Sequence, residues 1–222
     1  MANEPTVTRT GALRILASST LVRLGTGASL AALSSSAAAA DDGTQQDIVM
    51  VIRHAEKPLT DSPPHGVTLE GVQNANSLTV VGWVRAGALA AGFAYPQERW
   101  NLPVPTAIYA ASPRGKDGLR ALQTIGPLAN RLKLPINTTY GKGDEPKLAA
   151  ELIAGHGARL VCWEHHAIPT LVDNFGTVSP SPAQSWDNQR YDLIWIFTKR
   201  PDGSWAFRVI PERLLVGDTV SP

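Results

Sequence analysis

Five consecutive apolar residues, Ile48-Val49-Met50-Val51-Ile52, run straight into Arg53-His54, and Pro58 ends whatever regular structure follows. A short apolar run with no polar residue alternating through it reads as a buried strand. The chain then leaves the core through a guanidinium and an imidazole, side by side at the strand end. In an open α/β sheet that is the usual place for a site. An imidazole next to a fixed guanidinium is suited to attack on an anionic phosphorus. The dipeptide by itself is common, so its meaning depends on what the other strand ends deliver.

Two more strand ends supply polar groups of the same kind. Thr106-Ala107-Ile108-Tyr109-Ala110-Ala111 reads as a strand running into a Ser112-Pro113 turn. A helix from about Asp117 to Leu132 follows, with Leu122, Ile125, Ala129 and Leu132 at helical spacing. Arg120 falls in its first turns, where the dipole and free N–H groups favour anions. A third strand, Arg159-Leu160-Val161-Cys162-Trp163, ends in Glu164-His165-His166. Three strand ends thus carry Arg-His, Arg and His.

The rest of the chain reads as alternating elements. A small-residue helix runs from Leu78 to about Ala91, with Arg85 as a surface or structural cation. A short strand covers Ile136 to Tyr140, and a turn, Gly141 to Pro146, precedes a helix from Lys147 to about Ala154. A short helix between Ile168 and Phe175 is broken by Ser179-Pro180-Ser181-Pro182. Tyr191–Phe197 and Trp205–Ile210, joined by Pro201-Asp202-Gly203, form a hairpin expected at one edge of the sheet. Residues 59–76 form a long loop with His65, placed to act as a lid or specificity loop after His54. Trp163 and Trp186 are candidates to line a pocket; Trp83, Trp195 and Trp205 read as core. The fold class is α/β: a three-layer α/β/α sandwich around a mixed, mostly parallel sheet.

The 222 residues suffice for a single large core. Residues 41–222 are expected to form it, behind a leader at 1–40. That leader carries Arg9, Arg14 and Arg23, a Leu-Ala stretch, and Ala37-Ala38-Ala39-Ala40 before Asp41-Asp42, the pattern of an export signal cut near Ala40. The expected location is periplasmic or secreted if the leader is a signal, and cytoplasmic otherwise. A formal net charge of +1 gives no basis for a nucleic-acid groove or a polybasic membrane surface. No segment approaches the roughly 20 apolar residues of a membrane span. The single cysteine, Cys162, allows no intrachain disulfide and no cysteine-based metal site.

Four motifs, in order, resemble those of the histidine phosphatase superfamily, which has the phosphoglycerate mutase-like fold. They are Arg53-His54-Ala55-Glu56, then Leu78-Thr79-Val80-Val81-Gly82-Trp83-Val84-Arg85-Ala86, then Ser112-Pro113 with Arg120-Ala121-Leu122-Gln123-Thr124, and the late strand ending in His165. The resemblance runs from about Asp47 to the C-terminus. The family's second histidine follows a glycine; here Glu164 precedes His165 and His166 comes after it, so two alignments are possible, and His165 is preferred to His166. The turn before Arg120 is longer than usual, which adds Arg114 and Lys116 as possible phosphate contacts.

The resemblance implies a phosphomonoester hydrolase with His54 as nucleophile and a phosphohistidine intermediate. Arg53, Arg120, His165 and Lys57 would hold the phosphoryl group. Glu145, Asp144 or Glu164 would serve as proton donor, with Glu56 orienting Arg53 or His54. It implies no cofactor and no metal, and a phosphorylated small molecule or phosphoprotein as substrate. Two other readings share the pocket: a mutase-like phosphotransferase and a non-catalytic phosphate-ligand binder. A metal-dependent hydrolase built on His54, His65, His165 and His166 lacks a compact ligand motif.

Overall fold

The computed structural model describes residues 46–222 except 96 and 114–117. Its elements are β1 (Ile48–Arg53), α1 (Val80–Ala94), β2 (Ala107–Ala110), α2 (Leu119–Leu132), β3 (Ile136–Asn137), α3 (Glu145–Ala154), β4 (Ala158–Trp163), α4 (Ile168–Asp173), β5 (Val178–Ser179), β6 (Leu193–Lys199) and β7 (Trp205–Pro211). The leader, its cleavage tract, Arg114 and Lys116 lie outside the described residues.

The seven strands form one sheet in the order β3-β2-β4-β1-β6-β7-β5. β1 sits at its centre, parallel to β4 and antiparallel to β6. β2 runs parallel to both β3 and β4, so the sheet is mixed and mostly parallel, as expected. Every residue of β1 is buried, and Val49, Met50, Val51 and Ile52 are wholly so. Each such side chain contributes on the order of 1.5–3 kcal/mol by leaving water, which explains the uninterrupted apolar run.

Right-handed crossovers then distribute the helices. The steps from β1 to β2 and from β2 to β3 go the same way along the sheet, so α1 and α2 share a face and pack together. The step from β3 back to β4 reverses direction, which places α3 on the opposite face, where α4 packs on it. Parallel register aligns Arg53 with Trp163 and Ala110 with Cys162, so the ends of β1, β2 and β4 open onto one rim.

The sequence motifs are the joints of this arrangement. Thr79 caps α1, its hydroxyl accepting from the Gly82 N–H at 3.2 Å, while its own N–H donates to the Glu56 carbonyl at 2.9 Å. A Cβ at Gly82 would lie 2.5 Å from that same carbonyl oxygen, so only glycine lets the helix pass so close to the strand exit. Gln123 accepts from the Leu78 N–H and donates to the Ser77 hydroxyl. Thr124 accepts from the Ala55 N–H at 2.8 Å and donates to the Arg120 carbonyl at 2.7 Å. Gly118, at φ +82°, starts α2 where a Cβ would lie 2.2 Å from the Ser112 carbonyl oxygen.

Two expectations need correction. The β6–β7 hairpin does not end the sheet: β5 pairs in parallel with β7, through Val178 with Trp205 and Ser179 with Ala206. A two-residue strand is too short to leave a periodic signal, and the prolines after it read only as a breaker. Glu56 does not orient Arg53 or His54. It pairs instead with Arg85, which is buried rather than at the surface. Among the described residues no helix is long and apolar enough to cross a membrane.

Candidate active site

His54 leaves β1 with its side chain 5% exposed. Its Nδ1 lies 2.7 Å from the Ala55 carbonyl oxygen, a partner that only accepts, so Nδ1 carries the proton and Nε2 keeps a lone pair. Burial lowers its pKa to about 3, with Arg53, Arg120 and His165 adding to the effect against the Ala55 hydrogen bond. The ring is therefore neutral at physiological pH.

Arg53 is 2% exposed and held on two sides. Its Nη1 donates to the carbonyls of Asn188 and Arg190, at 2.8 and 3.2 Å, and its Cζ lies 3.8 Å from the centre of the Tyr191 ring. Its Nε is buried without a hydrogen-bond partner. A buried N–H left open beside a neutral imidazole is a donor kept for a ligand.

The pocket around His54 is lined by Ala111, Gly118, Arg120, Ala121, Lys142 and Glu164. Arg120 is the second residue of α2, and its Nη2 donates to the Ala75 carbonyl at 2.8 Å, tying the long loop to the pocket wall. Lys57 is half-buried; burial, then Arg120 and Arg53, lower its pKa, which places it in the same positive field, though not on the pocket wall. Lys142 lines the pocket and was not foreseen, because a lysine between two glycines reads as an exposed turn.

His165 is 3% exposed, and its ring centre is 6.3 Å from that of His54, whereas His166 is exposed. The side chain brought beside the nucleophile is that of His165. Its Nε2 lies 2.7 Å from Asn188 Oδ1, and its pKa is lowered to about 4, first by burial and then by Arg53. Asn188 and Tyr191 were missed, since nothing local marks a loop residue whose partners are more than 130 residues away.

The acids divide differently from the expectation. Glu145 accepts from the Gly143 N–H, at 2.9 and 3.1 Å, and from the Trp163 indole at 3.0 Å. It is buried at the start of α3 and is not on the wall of the His54 pocket. Asp144 accepts from the Gly141 N–H and pairs with Lys147. Glu164 is the carboxylate on the pocket wall, 3.9 Å from Lys142 Nζ and 3.0 Å from His165 Nδ1. Trp163 and Trp186 are both buried, their indole N–H groups donating to Glu145 and to the Arg190 carbonyl, and neither lines this pocket. The third tryptophan of this stretch, Trp195, stacks on Trp186 with ring centres 5.0 Å apart.

No family model and no curated protein matches the chain. Solved structures do match. The protein histidine phosphatase SixA complexed with tungstate is 20% identical with a TM-score of 0.46, over 74% of this chain and 97% of that one. A native mycobacterial glucosyl-3-phosphoglycerate phosphatase is 14% identical with a TM-score of 0.46, over 80% and 100%. Phosphoglycerate mutase from Bacillus anthracis is 13% identical with a TM-score of 0.45, over 75% and 93%. At these identities and TM-scores the chain resembles them in general arrangement, and no residue's role is taken from them.

Proposed function

We propose that the chain is a phosphomonoester hydrolase of the histidine phosphatase kind, acting through a phosphohistidine at His54. The observation that carries this reading is the imidazole itself: buried, neutral, its Nδ1 proton committed to the Ala55 carbonyl, and its environment rich in guanidinium. A binder of phosphate has no use for a neutral imidazole, since a charged one would hold the anion better. Arg53 Nε–H and Arg120 offset the phosphoryl charge that otherwise repels a nucleophile.

In the first step His54 Nε2 forms a bond to phosphorus as the ester P–O bond breaks, and the leaving oxygen takes a proton from Glu164. Water then attacks the phosphohistidine, returns a proton to Glu164 and releases inorganic phosphate, leaving His54 neutral. Glu164 is assigned the donor role because it is the carboxylate on the pocket wall. Lys142 and Lys57 extend the positive field, which suits a phosphorylated small molecule or phosphoprotein.

The test is hydrolysis of an aryl phosphate by the full chain in the presence of a chelator. The native chain is expected to turn over, and to yield an alkali-stable phosphoenzyme on rapid alkaline quench; His54→Ala is expected to do neither. Glu164→Gln should slow hydrolysis of alkyl esters by about 10²–10⁴-fold and spare aryl esters, whose leaving groups need little protonation. Equal rates in native and His54→Ala chains would sink the assignment.

A further inference from the structure

Glu164, His165 and His166 follow one another at the end of β4, and one ligand-type atom from each lies within 4.8 Å of the other two. His165 is the informative member. Its Nε2 donates to Asn188 Oδ1, which leaves Nδ1 with the lone pair. That nitrogen is buried, has no hydrogen-bond partner, and sits 3.0 Å from Glu164 Oε1. The two atoms stand close with no hydrogen bond between them, and an ion bound to both would stabilise that approach. An imidazole whose far N–H is held by a side-chain oxygen while its near nitrogen meets a carboxylate is the arrangement of a metal ligand with its supporting partner.

The third donor completes the set. His166 is exposed, and its ring lies over that of His165 with centres 3.9 Å apart. Bonds of about 2.0–2.2 Å require this exposed ring to turn so that its donor nitrogen meets the other two. Two imidazoles and one carboxylate suit zinc and its neighbours rather than magnesium or calcium. Cys162 offers no competing thiolate, since it is fully buried and burial pushes its thiol pKa up.

We propose that Glu164, His165 and His166 bind one divalent transition-metal ion of the zinc class, and that its binding shuts the phosphate pocket. The ion occupies the pocket-wall carboxylate and the lone pair of the histidine beside the nucleophile. Lys142, 3.9 Å from Glu164, and the nearby Arg53 oppose a second cation. Affinity is thereby lowered, and the ion acts as a dissociable inhibitor rather than a structural brace. The binding half of this inference is independent of the hydrolase reading; the inhibitory half rests on it.

The experiment is calorimetric titration of the untagged full chain with zinc chloride, with cobalt(II) absorption as a second readout of coordination. One ion per chain is expected. His166→Ala should abolish binding at concentrations that saturate the native chain. Asn188→Ala should weaken it about 10–100-fold, and His65→Ala and His156→Ala should leave it unchanged. Zinc should inhibit aryl phosphate hydrolysis by the native chain and not by His166→Ala, whose rate without zinc should be native. Absence of binding in the native chain, or binding that survives His166→Ala, overturns the site. Binding with undiminished hydrolysis overturns the inhibition, and a native chain that binds zinc but hydrolyses no phosphate supports the site while overturning the hydrolase reading.

Discussion

At the scale of single residues, the imidazole of His54 is prepared by three separate features. Burial removes the solvation that a charged ring would need, and the two guanidiniums and His165 raise the cost of protonation further. The Ala55 carbonyl works weakly the other way, yet it is the group that fixes which nitrogen is bare. With a pKa lowered to about 3, the ring stays neutral through the mildly acidic range. We therefore expect kcat/KM on an aryl phosphate to escape, between pH 7 and pH 5, the roughly 25-fold loss that an imidazole of ordinary pKa near 6.5 would impose. A loss of that size would show that the ring is protonated there. Glu145 illustrates the converse. Its place in the chain suited a proton donor, but two N–H donors hold its carboxylate in the wall of α3.

At the scale of elements, α1 is positioned by contact with a strand exit rather than by its own propensity. It is rich in alanine and glycine, and propensity alone would favour alanine over glycine at Gly82 and at Gly87 by roughly 1 kcal/mol. The two sites differ in what surrounds them. At Gly82 a Cβ would meet the Glu56 carbonyl oxygen at 2.5 Å and the Glu56 nitrogen at 3.1 Å, both backbone atoms. At Gly87 it would meet nothing within 4 Å. Chemical denaturation should therefore find Gly87→Ala more stable by about 0.5–1 kcal/mol and Gly82→Ala less stable by about 1–3 kcal/mol. A Gly82→Ala variant as stable as the native chain, or more so, would mean that α1 does not press on the strand exit. The long loop at 59–76 is likewise an element with anchors, Trp83 donating to the Val67 carbonyl and Arg120 to that of Ala75.

At the scale of the whole molecule, one buried guanidinium joins segments far apart in the chain. Arg85 of α1 bonds Glu56 beyond β1, Glu212 after β7 and Asp218 in the C-terminal segment, at 2.7–2.8 Å. One cation among three carboxylates leaves a net negative charge out of water, and Glu212, wholly buried, bears the consequence. Burial, aided by Asp218 and Glu56, pushes its pKa up to about 8 despite Arg85. A carboxyl whose folded pKa is raised binds its proton more tightly in the folded state. Its contribution to stability is full below the unfolded value near 4.5 and is lost as pH rises through about 8. Unfolding free energy should accordingly fall between about pH 5 and pH 8, and Glu212→Gln should flatten that fall; an unchanged slope in the variant would place the effect elsewhere.

Much of this protein was legible along the chain. The apolar run of β1, the polar residues at the ends of β1 and β4, and the helical Arg120 followed from periodicity and punctuation, because burial on a strand and on a helix leaves distinct local patterns. The four motifs carried the expectation of the pocket, and Arg53, His54, Arg120 and His165 do converge. What local pattern does not encode is who meets whom across the sheet. The place of Glu164 rather than Glu145 on the pocket wall, and the seating of Arg53 on Tyr191 and Asn188, arise from contacts between segments distant in sequence. So does the exchange by which Glu56 serves Arg85 instead of its chain neighbours. Strand order and crossover handedness set those encounters, and they are properties of the packed sheet, which no run of neighbouring residues contains.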